Sequence, residues 1–322
     1  MGQGGCCGAK REGPKGRDAG FLEAALAVPR AAPEVQQALK AELVKIPGGI
    51  FEMGTRKSTF PEDLDSPRRK VKVSPFRIGA TTVTNAQYAR FVAETGYRTV
   101  AEQEGWSYVF HILLADPAQY PVSPPGLRWW RQVHGAFWAA PEGPGSSWQD
   151  GRADHPVAQM CWYDALAYVT WAGLRLPREA EWERAARGGK ARLKFPWGNA
   201  LVPETGFAMN TWQGNFPDEN SAEDGFVGTA PARSYAPNGY GLYNCTGNVW
   251  EWVADYYGPR TPPGALPEVD PAGPAEGQAR IQRGGSFLCH VSYCDRYHVH
   301  SRTRNDPDSA TSNAGFRVAA DL

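Results

Sequence analysis

Between residues 43 and 54 apolar side chains (Leu43, Val44, Ile46, Ile50, Phe51, Met53) largely alternate with polar or small ones around Pro47-Gly48-Gly49, which predicts two strands joined by a turn. Residues 71–78 predict a further strand. The period then lengthens. Thr84 and Asn85 stand as an N-cap before Ala86, Tyr88, Phe91 and Val92, and Gly96 supplies the stop, predicting an amphipathic helix. A second helix is predicted over 163–172, ended by Gly173. Pro177 sits where the first turn of a third would begin, with Glu179, Trp182 and Ala185 carrying it to Gly188-Gly189. Residues 1–40 show no sustained apolar period beyond a short helical stretch at 21–27, so they read as a disordered tail before a domain spanning 41–322. Residues 110–154 carry Trp129, Trp130, Trp138 and Trp148 with little periodicity, which points to an ordered binding loop or to Trp packing in the core. The remainder reads as short strands and loops without an internal repeat.

Composition narrows the function classes. The 322-residue chain balances 34 basic against 34 acidic residues, so it carries no electrostatic footprint for nucleic acid. No apolar run approaches the roughly 20 residues needed to span a bilayer. Cys6 stands where a myristoylation signal at Gly2 would want Ser or Thr. Neither nucleic acid nor membrane is therefore an expected partner. The other cysteines are Cys7, Cys161, Cys245, Cys289 and Cys294. They are too sparse for a disulfide framework, and no apolar leader is evident, so the expected setting is a reducing cytoplasm.

The candidate chemistry lies in Gly284-Gly285-Ser286-Phe287-Leu288-Cys289-His290-Val291-Ser292-Tyr293-Cys294. Positions i and i+5 point to opposite faces of a strand and lie about 140° apart around a helix, so converging thiols require a bent loop. Such a pair can form a redox couple or hold one soft metal ion. The spacing equally fits two inert buried cysteines or a structural disulfide.

Other runs carry a family resemblance. They are Arg-Leu-Pro-Arg-Glu-Ala-Glu-Trp-Glu at 175–183, Phe-Pro-Trp-Gly-Asn at 195–199, Asn-Gly-Tyr-Gly-Leu-Tyr-Asn at 238–244, Gly-Asn-Val-Trp-Glu-Trp at 247–252, and Asn-Ala-Gly-Phe-Arg at 313–317. Together they resemble the sulfatase-modifying-factor superfamily over residues 43–322. The segment from Ser286 to Cys294, with Arg296, Tyr297, Asn305, Pro307 and Asp308, is similar to the active-site segment of the formylglycine-generating enzymes within it. The resemblance implies a single loop-rich α+β domain of C-type-lectin-like fold with few short helices and short strands. It also implies an oxygen-using, copper-dependent oxidase that converts the cysteine of a Cys-X-Pro-X-Arg sequence in an unfolded or nascent type I sulfatase to Cα-formylglycine, with a thiol reductant. By that resemblance Cys289 and Cys294 would bind one Cu(I), Ser286 would line the oxygen pocket, Trp250 would wall it and Tyr293 would shape the seat of the substrate cysteine. Trp129, His290, Arg296 and Asn313 would bind the peptide. Two structural calcium sites are implied: Asn210, Thr211, Asp224 and Phe226 for one, Asn244, Gly247, Val249 and Glu251 for the other.

Departures from the pattern sharpen the expectation. Val169, Ala186, Val299 and Val318 stand where secretory members have disulfide cysteines, in keeping with a cytoplasmic form. Val291 replaces an arginine, and Thr82 and Trp106 occupy groove positions that are acidic in the secretory form. Three rivals are weighed. A non-haem iron oxygenase on this scaffold needs His-X3-His-X-Glu, a spacing absent among His111, His134, His155, His290, His298 and His300. A zinc site would draw on Cys289, Cys294, His298 and His300 in a spacing unlike that of closed sites. A non-catalytic binding module would not need both thiols.

Overall fold

The computed structural model describes residues 8–11 and 18–322; Gly2, Cys6 and Cys7 lie outside them. Its α-helices are α1 (Asp18–Leu26), α2 (Pro33–Ala41), α3 (Asn85–Thr95), α4 (Val100–Glu104), α5 (Trp162–Ala172) and α6 (Glu179–Ala186). The strands are β1 (Val44–Ile46), β2 (Gly49–Met53), β3 (Arg69–Val73), β4 (Phe76–Ile78), β5 (Trp106–Phe110), β6 (Trp130–His134), β7 (Gly214–Asn215) and β8 (Glu219–Asn220). They continue with β9 (Trp250–Tyr256), β10 (Glu268–Val269), β11 (Arg280–Arg283), β12 (Arg302–Asn305), β13 (Ala314–Phe316) and β14 (Ala319–Asp321). The result is the expected loop-rich α+β domain with few short helices and short strands. No helix among the described residues is long and apolar enough to cross a membrane.

The caps explain where the predicted helices begin and end. Thr84 and Gln87 form a reciprocal capping box on α3, and Gly96 closes it in the left-handed region. Gly173 does the same for α5. Helix α6 differs slightly from expectation: Arg178 is its N-cap, so Pro177 lies ahead of the first turn, where its carbonyl accepts from Ala254 N–H at 2.9 Å.

The first two strands are present, but they do not pair with each other. β1 runs antiparallel to β4, which also takes β14, while β2 pairs with β3. The reason is a shared corner. Gly49 has φ +133°, and a Cβ on Gly48 would lie 2.7 Å from Pro75 Cδ, so the Gly48-Gly49 bend packs on the Ser74-Pro75 bend and both chains change sheet there. The predicted strand over 71–78 is accordingly split into β3 and β4. The long stretch 110–154 contains β6, paired with β5. Its Trp130 is fully buried, and Trp138 packs in the main core.

Residues 18–40 depart from the expected tail. Phe21 and Ala25, one helical turn apart, bury against α5, with the Phe21 ring 6.0 Å from Tyr163. Ala31 N–H donates to Trp171 O at 2.8 Å. Val28 and Ala31 are buried in the same cluster and Val35 and Leu39 pack against it, but these positions are spread over two short helices and the link between them, so they leave no sustained period in the sequence. The main core beneath it gathers Tyr88, Phe91, Tyr168, Trp171 and Phe316. Each such ring contributes about 1.5–3 kcal/mol on burial.

The four-stranded sheet β12-β11-β9-β13 carries the site. β9 runs antiparallel to β11, with Arg283 opposite Glu251, and parallel to β13, with Ala314 opposite Trp250. Helix α6 packs on it through charge. Glu179 and Glu183, one turn apart, meet Arg283 at 2.9 and 2.7 Å, while Arg260 and Arg302 reach Glu179 at 2.7 and 2.8 Å, and Arg187 reaches Glu183 at 2.6 Å. Burial alone would push the Glu183 carboxyl up, but Arg187, Arg283 and Arg260 overrule it and hold its pKa at about 2, against an ordinary 4.5.

A depressed carboxyl contributes stability above its unfolded pKa and loses it as pH falls through the folded value. Wild-type stability should therefore drop between about pH 4.5 and 2, and Glu183→Gln should flatten that limb. The variant leaves Arg283 and Arg187 short of a partner and should cost about 3–5 kcal/mol at neutral pH in denaturant titrations. An unchanged midpoint would refute the assignment.

Candidate active site

Strand β11 runs straight into the thiol segment. Gly284 and Gly285 take φ +92° and +77°, and a Cβ on Gly285 would lie 2.9 Å from Tyr297 Cα and 3.0 Å from Arg296 O. Only glycine lets the two arms of this loop touch. Cys289 N–H donates to Ser286 O at 2.9 Å, and the His290 carbonyl accepts from the N–H groups of Tyr293, Cys294 and Asp295 at 3.0, 2.9 and 3.1 Å. That single carbonyl winds 290–295 into a tight turn and brings Cys294 back to Cys289. Their sulfurs stand 2.8 Å apart, both fully buried. This is the bend that the spacing requires.

The shell around the thiols is polar on one side and aromatic on the other. Ser286 N–H points at Cys289 Sγ at 3.4 Å. The Ser286 hydroxyl accepts from Asn313 Nδ2 at 2.9 Å, and Asn313 Oδ1 accepts from the Thr311 hydroxyl at 2.8 Å. Asn313 O accepts from Trp250 N–H at 2.8 Å, so the β9/β13 pairing itself ties Trp250 to the Ser286 side of the site. Trp250 packs in one apolar cluster with Cys289, Cys294, Tyr297, Phe195 and Met209, with Tyr293 and Trp197 at its edge. The indole Nε1 of Trp250 is buried without a hydrogen-bond partner.

Tyr293 stacks on Phe216 at 4.3 Å and meets Trp129 edge-on at 5.1 Å. These three rings make an aromatic wall beside the thiols. His290 is half-buried; its Nδ1 accepts from Ser292 N–H at 3.3 Å, and burial pushes the imidazole pKa down, so the ring is neutral near pH 7. Val291 and Ser292 are exposed at the rim. Arg296, expected to bind peptide, engages the 60–63 segment. Its buried guanidinium pairs with Asp63 through two nitrogens, reaches Glu62 at 3.3 Å and covers the Phe60 ring at 3.7 Å. It ties the 60–64 loop to the thiol segment.

The oxygen-rich positions also converge. Asp224 accepts from the N–H groups of Thr211 and Phe226 at 2.9 and 3.0 Å, so its carboxylate lies beside both residues, and burial pushes its pKa up. Asn210 Oδ1 is a buried acceptor without a partner. At the second set Asn244 Oδ1 is likewise buried and unpartnered, with its residue at φ 47°. Glu251 accepts from Arg317 Nε and Nη2 at 2.8 Å each and from Trp182 Nε1 at 2.7 Å. Of its roughly four acceptor positions one remains, on Oε1. Both sets thus offer unspent oxygens.

The rival zinc set does not assemble. His298 and His300 stack on each other at 5.2 Å, and His300 bonds Asp65 at 2.9 Å. Among the described residues no group of three or more His, Cys, Asp or Glu is arranged to hold a metal. Sequence reasoning missed Phe216, Trp212 and Asp63, and the second task of Thr211. Phe216 supplies the face on which Tyr293 rests. Thr211 and Trp212 clamp the Cys289 carbonyl, by hydroxyl and by N–H. Asp63 anchors Arg296. All lie 70 or more residues from the thiols, and no local spacing could reveal them.

Residues 29–322 match the family described as Sulfatase-modifying factor enzyme 1-like domain. The chain belongs to that family. It is 52% identical over 299 residues, 91% of the chain and 97% of its relative, to a protein of Thermomonospora curvata named Formylglycine-generating enzyme. It is also 42% identical, over 86% of the chain and 87% of the relative, to a Bos taurus protein named Inactive C-alpha-formylglycine-generating enzyme 2. The structure of PvdO from Pseudomonas aeruginosa superposes with a TM-score of 0.63 at 23% identity, covering 87% of this chain and 94% of that one, and marks the shared fold.

The loop closure depends on glycine. Gly285→Ala should cost more than about 1 kcal/mol in thermal or denaturant unfolding, because both its φ and its contact with Tyr297 forbid a Cβ. Gly198→Ala, where nothing lies within 4 Å of the added carbon, should be near neutral. Equal effects would refute this account of the loop.

Proposed function

We propose that this protein converts the cysteine of a Cys-X-Pro-X-Arg sequence in a sulfatase polypeptide to Cα-formylglycine, using oxygen and a thiol reductant. One observation carries the reading: two fully buried thiols 2.8 Å apart, walled by Trp250 and faced by Ser286. A family that includes relatives named as inactive cannot supply the activity by membership alone, so the thiol pair bears the weight.

The donor set suits Cu(I), since soft thiolates select a soft ion. Cys289 and Cys294 would hold it, and when bound it supplies redox chemistry with oxygen that a dithiol alone lacks. With only two protein thiolates as donors, such a site would stay open to the thiolate of the substrate. The Ser286 hydroxyl, held by Asn313 and by Leu288 N–H at 3.3 Å, is a fixed polar group beside the sulfurs. Trp250 and Tyr293 exclude water from the reacting Cβ. Trp129 and Phe216 hold Tyr293 and line the way in. Val291 and Ser292 form the exposed lip.

Calcium fits the oxygen-rich sets through the unspent acceptors Asn210 Oδ1 and Asn244 Oδ1, hard donors for a hard ion. The first set lies beside Thr211, which clamps Cys289, so a cation there would stiffen the active-site loop. The buried, well-filled positions Val169, Ala186, Val299 and Val318 need no disulfides, which supports a reducing cytoplasmic setting.

The test is aerobic incubation of a Leu-Cys-Thr-Pro-Ser-Arg peptide with the protein, Cu(I) and a thiol reductant, followed by mass spectrometry. Conversion of the CH2SH side chain to CHO is expected in the wild type. Cys289→Ser and Cys294→Ser should each lower turnover more than about a hundredfold while leaving the melting curve cooperative. Near-normal turnover in either variant, with copper bound stoichiometrically, would overturn the reading. For calcium, the wild-type melting temperature should rise with added calcium over chelator by several degrees, as expected for a ligand that binds only the folded state. Asp224→Ala should abolish that rise. Equal melting of the wild type in both buffers would remove the calcium assignment.

A further inference from the structure

Helix α5 is buried along most of its length, yet one stripe of it faces a cavity. Trp162, Leu166, Val169 and Thr170 follow the i, i+4, i+7, i+8 spacing of a single helical face, and all four line a pocket of about 410 Å³. Leu174 and Leu176, on the link to α6, and Leu26, at the end of α1, complete its apolar lining. The walls are preformed. Trp162 Nε1 donates to Val253 O at 2.9 Å and the Arg280 guanidinium lies 3.8 Å over its ring, while Ala254, also in the lining, donates its N–H to Pro177 O at 2.9 Å. The Thr170 hydroxyl donates to Leu166 O at 2.9 Å, so it is spent within its own helix. Leu26 is 57% exposed and Leu22, one turn earlier on the same face, 39% exposed, so an apolar strip continues along α1.

The charged part of the lining is of one sign. Arg30, Arg175 and Arg178 take part in it, and among the described residues no carboxylate does. Arg175 is already engaged. It grips Glu181 through Nη1 and Nη2 at 2.7 and 2.8 Å, and Asp321 through Nε and Nη2 at 3.0 and 2.8 Å. Arg30 and Arg178 are exposed and make no ion pair among the described residues. Three guanidiniums against the two carboxylates that Arg175 holds leave the rim one positive charge in surplus. An apolar trough accepts any hydrocarbon, whereas unpaired guanidiniums at its edge add a preference for an anion, because the planar fork meets a carboxylate through two parallel hydrogen bonds. A surplus of one charge matches a monoanion rather than a dianion.

We propose that this cavity binds a free medium-chain carboxylate, its hydrocarbon tail laid along the α5 stripe and its head group held at the Arg30 and Arg178 rim. The site uses none of the residues around the thiols, so the inference goes beyond the proposed activity and does not depend on it. Small-molecule sites run from about 300 to 1,000 Å³, and a cavity at the lower end of that range takes one short chain rather than a two-chain lipid. Each further methylene that the stripe covers tightens binding about fourfold, until the tail outgrows the pocket.

The full chain is titrated with hexanoate, octanoate and decanoate, each below its micelle concentration, by calorimetry and by NMR of the carboxyl-labelled acids. Expected are one decanoate per chain, an affinity that rises about fourfold per methylene through the series, and decanol binding weaker than decanoate by about tenfold. Arg30→Ala with Arg178→Ala, a double variant that changes only exposed side chains, should lower decanoate to the affinity of decanol. Leu26→Ser should weaken both ligands alike. Conversion of the Leu-Cys-Thr-Pro-Ser-Arg peptide should be unchanged in these variants, which separates this site from the thiols. No saturation by decanoate in either method overturns the proposal, as do equal affinities for decanol and decanoate, or decanoate binding that survives intact in the double variant. Capture of the protein by anionic phospholipid vesicles without binding of monomeric decanoate would assign the patch to a membrane surface and overturn it too.

Discussion

Arg317 and Glu251 form the constraint on which the site rests. Both are fully buried, and the guanidinium grips the carboxylate through Nε and Nη2 at 2.8 Å each. Its remaining hydrogens go to three carbonyls, those of Gly79, Ala80 and Tyr243, at 2.9, 3.1 and 3.0 Å. A buried ion pair gains little net stability over an apolar pair of the same shape, but breaking one partner is expensive. What it gives here is position. Five hydrogen bonds from one side chain join β9, the end of β13 and two loops distant in sequence. That holds the parallel β9/β13 pairing in register, and the register sets Trp250 against Asn313.

From that register the chemistry follows by short steps. Asn313 holds Ser286, the Gly284-Gly285 bend aims Ser286 at Cys289, and the His290 carbonyl closes the turn that returns Cys294. Little of this is regular secondary structure. A loop of this kind stays ordered because its backbone groups are matched one by one, by Trp212 N–H on Cys289 O and Asn248 O on Phe287 N–H, and because the rings of Phe216, Trp129 and Tyr293 pack its outer side. Rigidity supplied by matching rather than by a helix holds the two buried sulfurs side by side.

How much of this the sequence displays depends on whether the relevant physics is local. Caps are local, so α3 and α5 can be read from Thr84, Gly96 and Gly173, and the glycine-led thiol bend follows from spacing alone. Strand partners are not local. The residues around Gly48 read as strand, turn, strand, and nothing near them announces that Pro75 sends both chains to different sheets. Arg296 shows the same limit within the site. The resemblance assigns it to the peptide, and nothing local announces its pairing with Asp63, more than 200 residues earlier. The seat of α1 was hidden because Phe21, Ala25 and the apolar positions that follow them are spread over two short helices and make no sustained period.

Trp106 shows how one position can change the way a guanidinium is held. By resemblance an acidic residue stands there in the secretory form, and a carboxylate would meet an arginine by charge. In this chain an arginine meets an aromatic face and a backbone carbonyl instead, as Arg11 does. A cation over a Trp ring gains about 0.5–2 kcal/mol, within the range of a partly exposed ion pair, and the ring carries no net charge for salt to screen. The buried Thr82, at the other position that is acidic in the secretory form, removes a second charge. At this position the hold on a guanidinium thus rests on shape and polarisation and not on Coulomb attraction. Such a contact acts on the planar cation at close range and does little to steer it from afar.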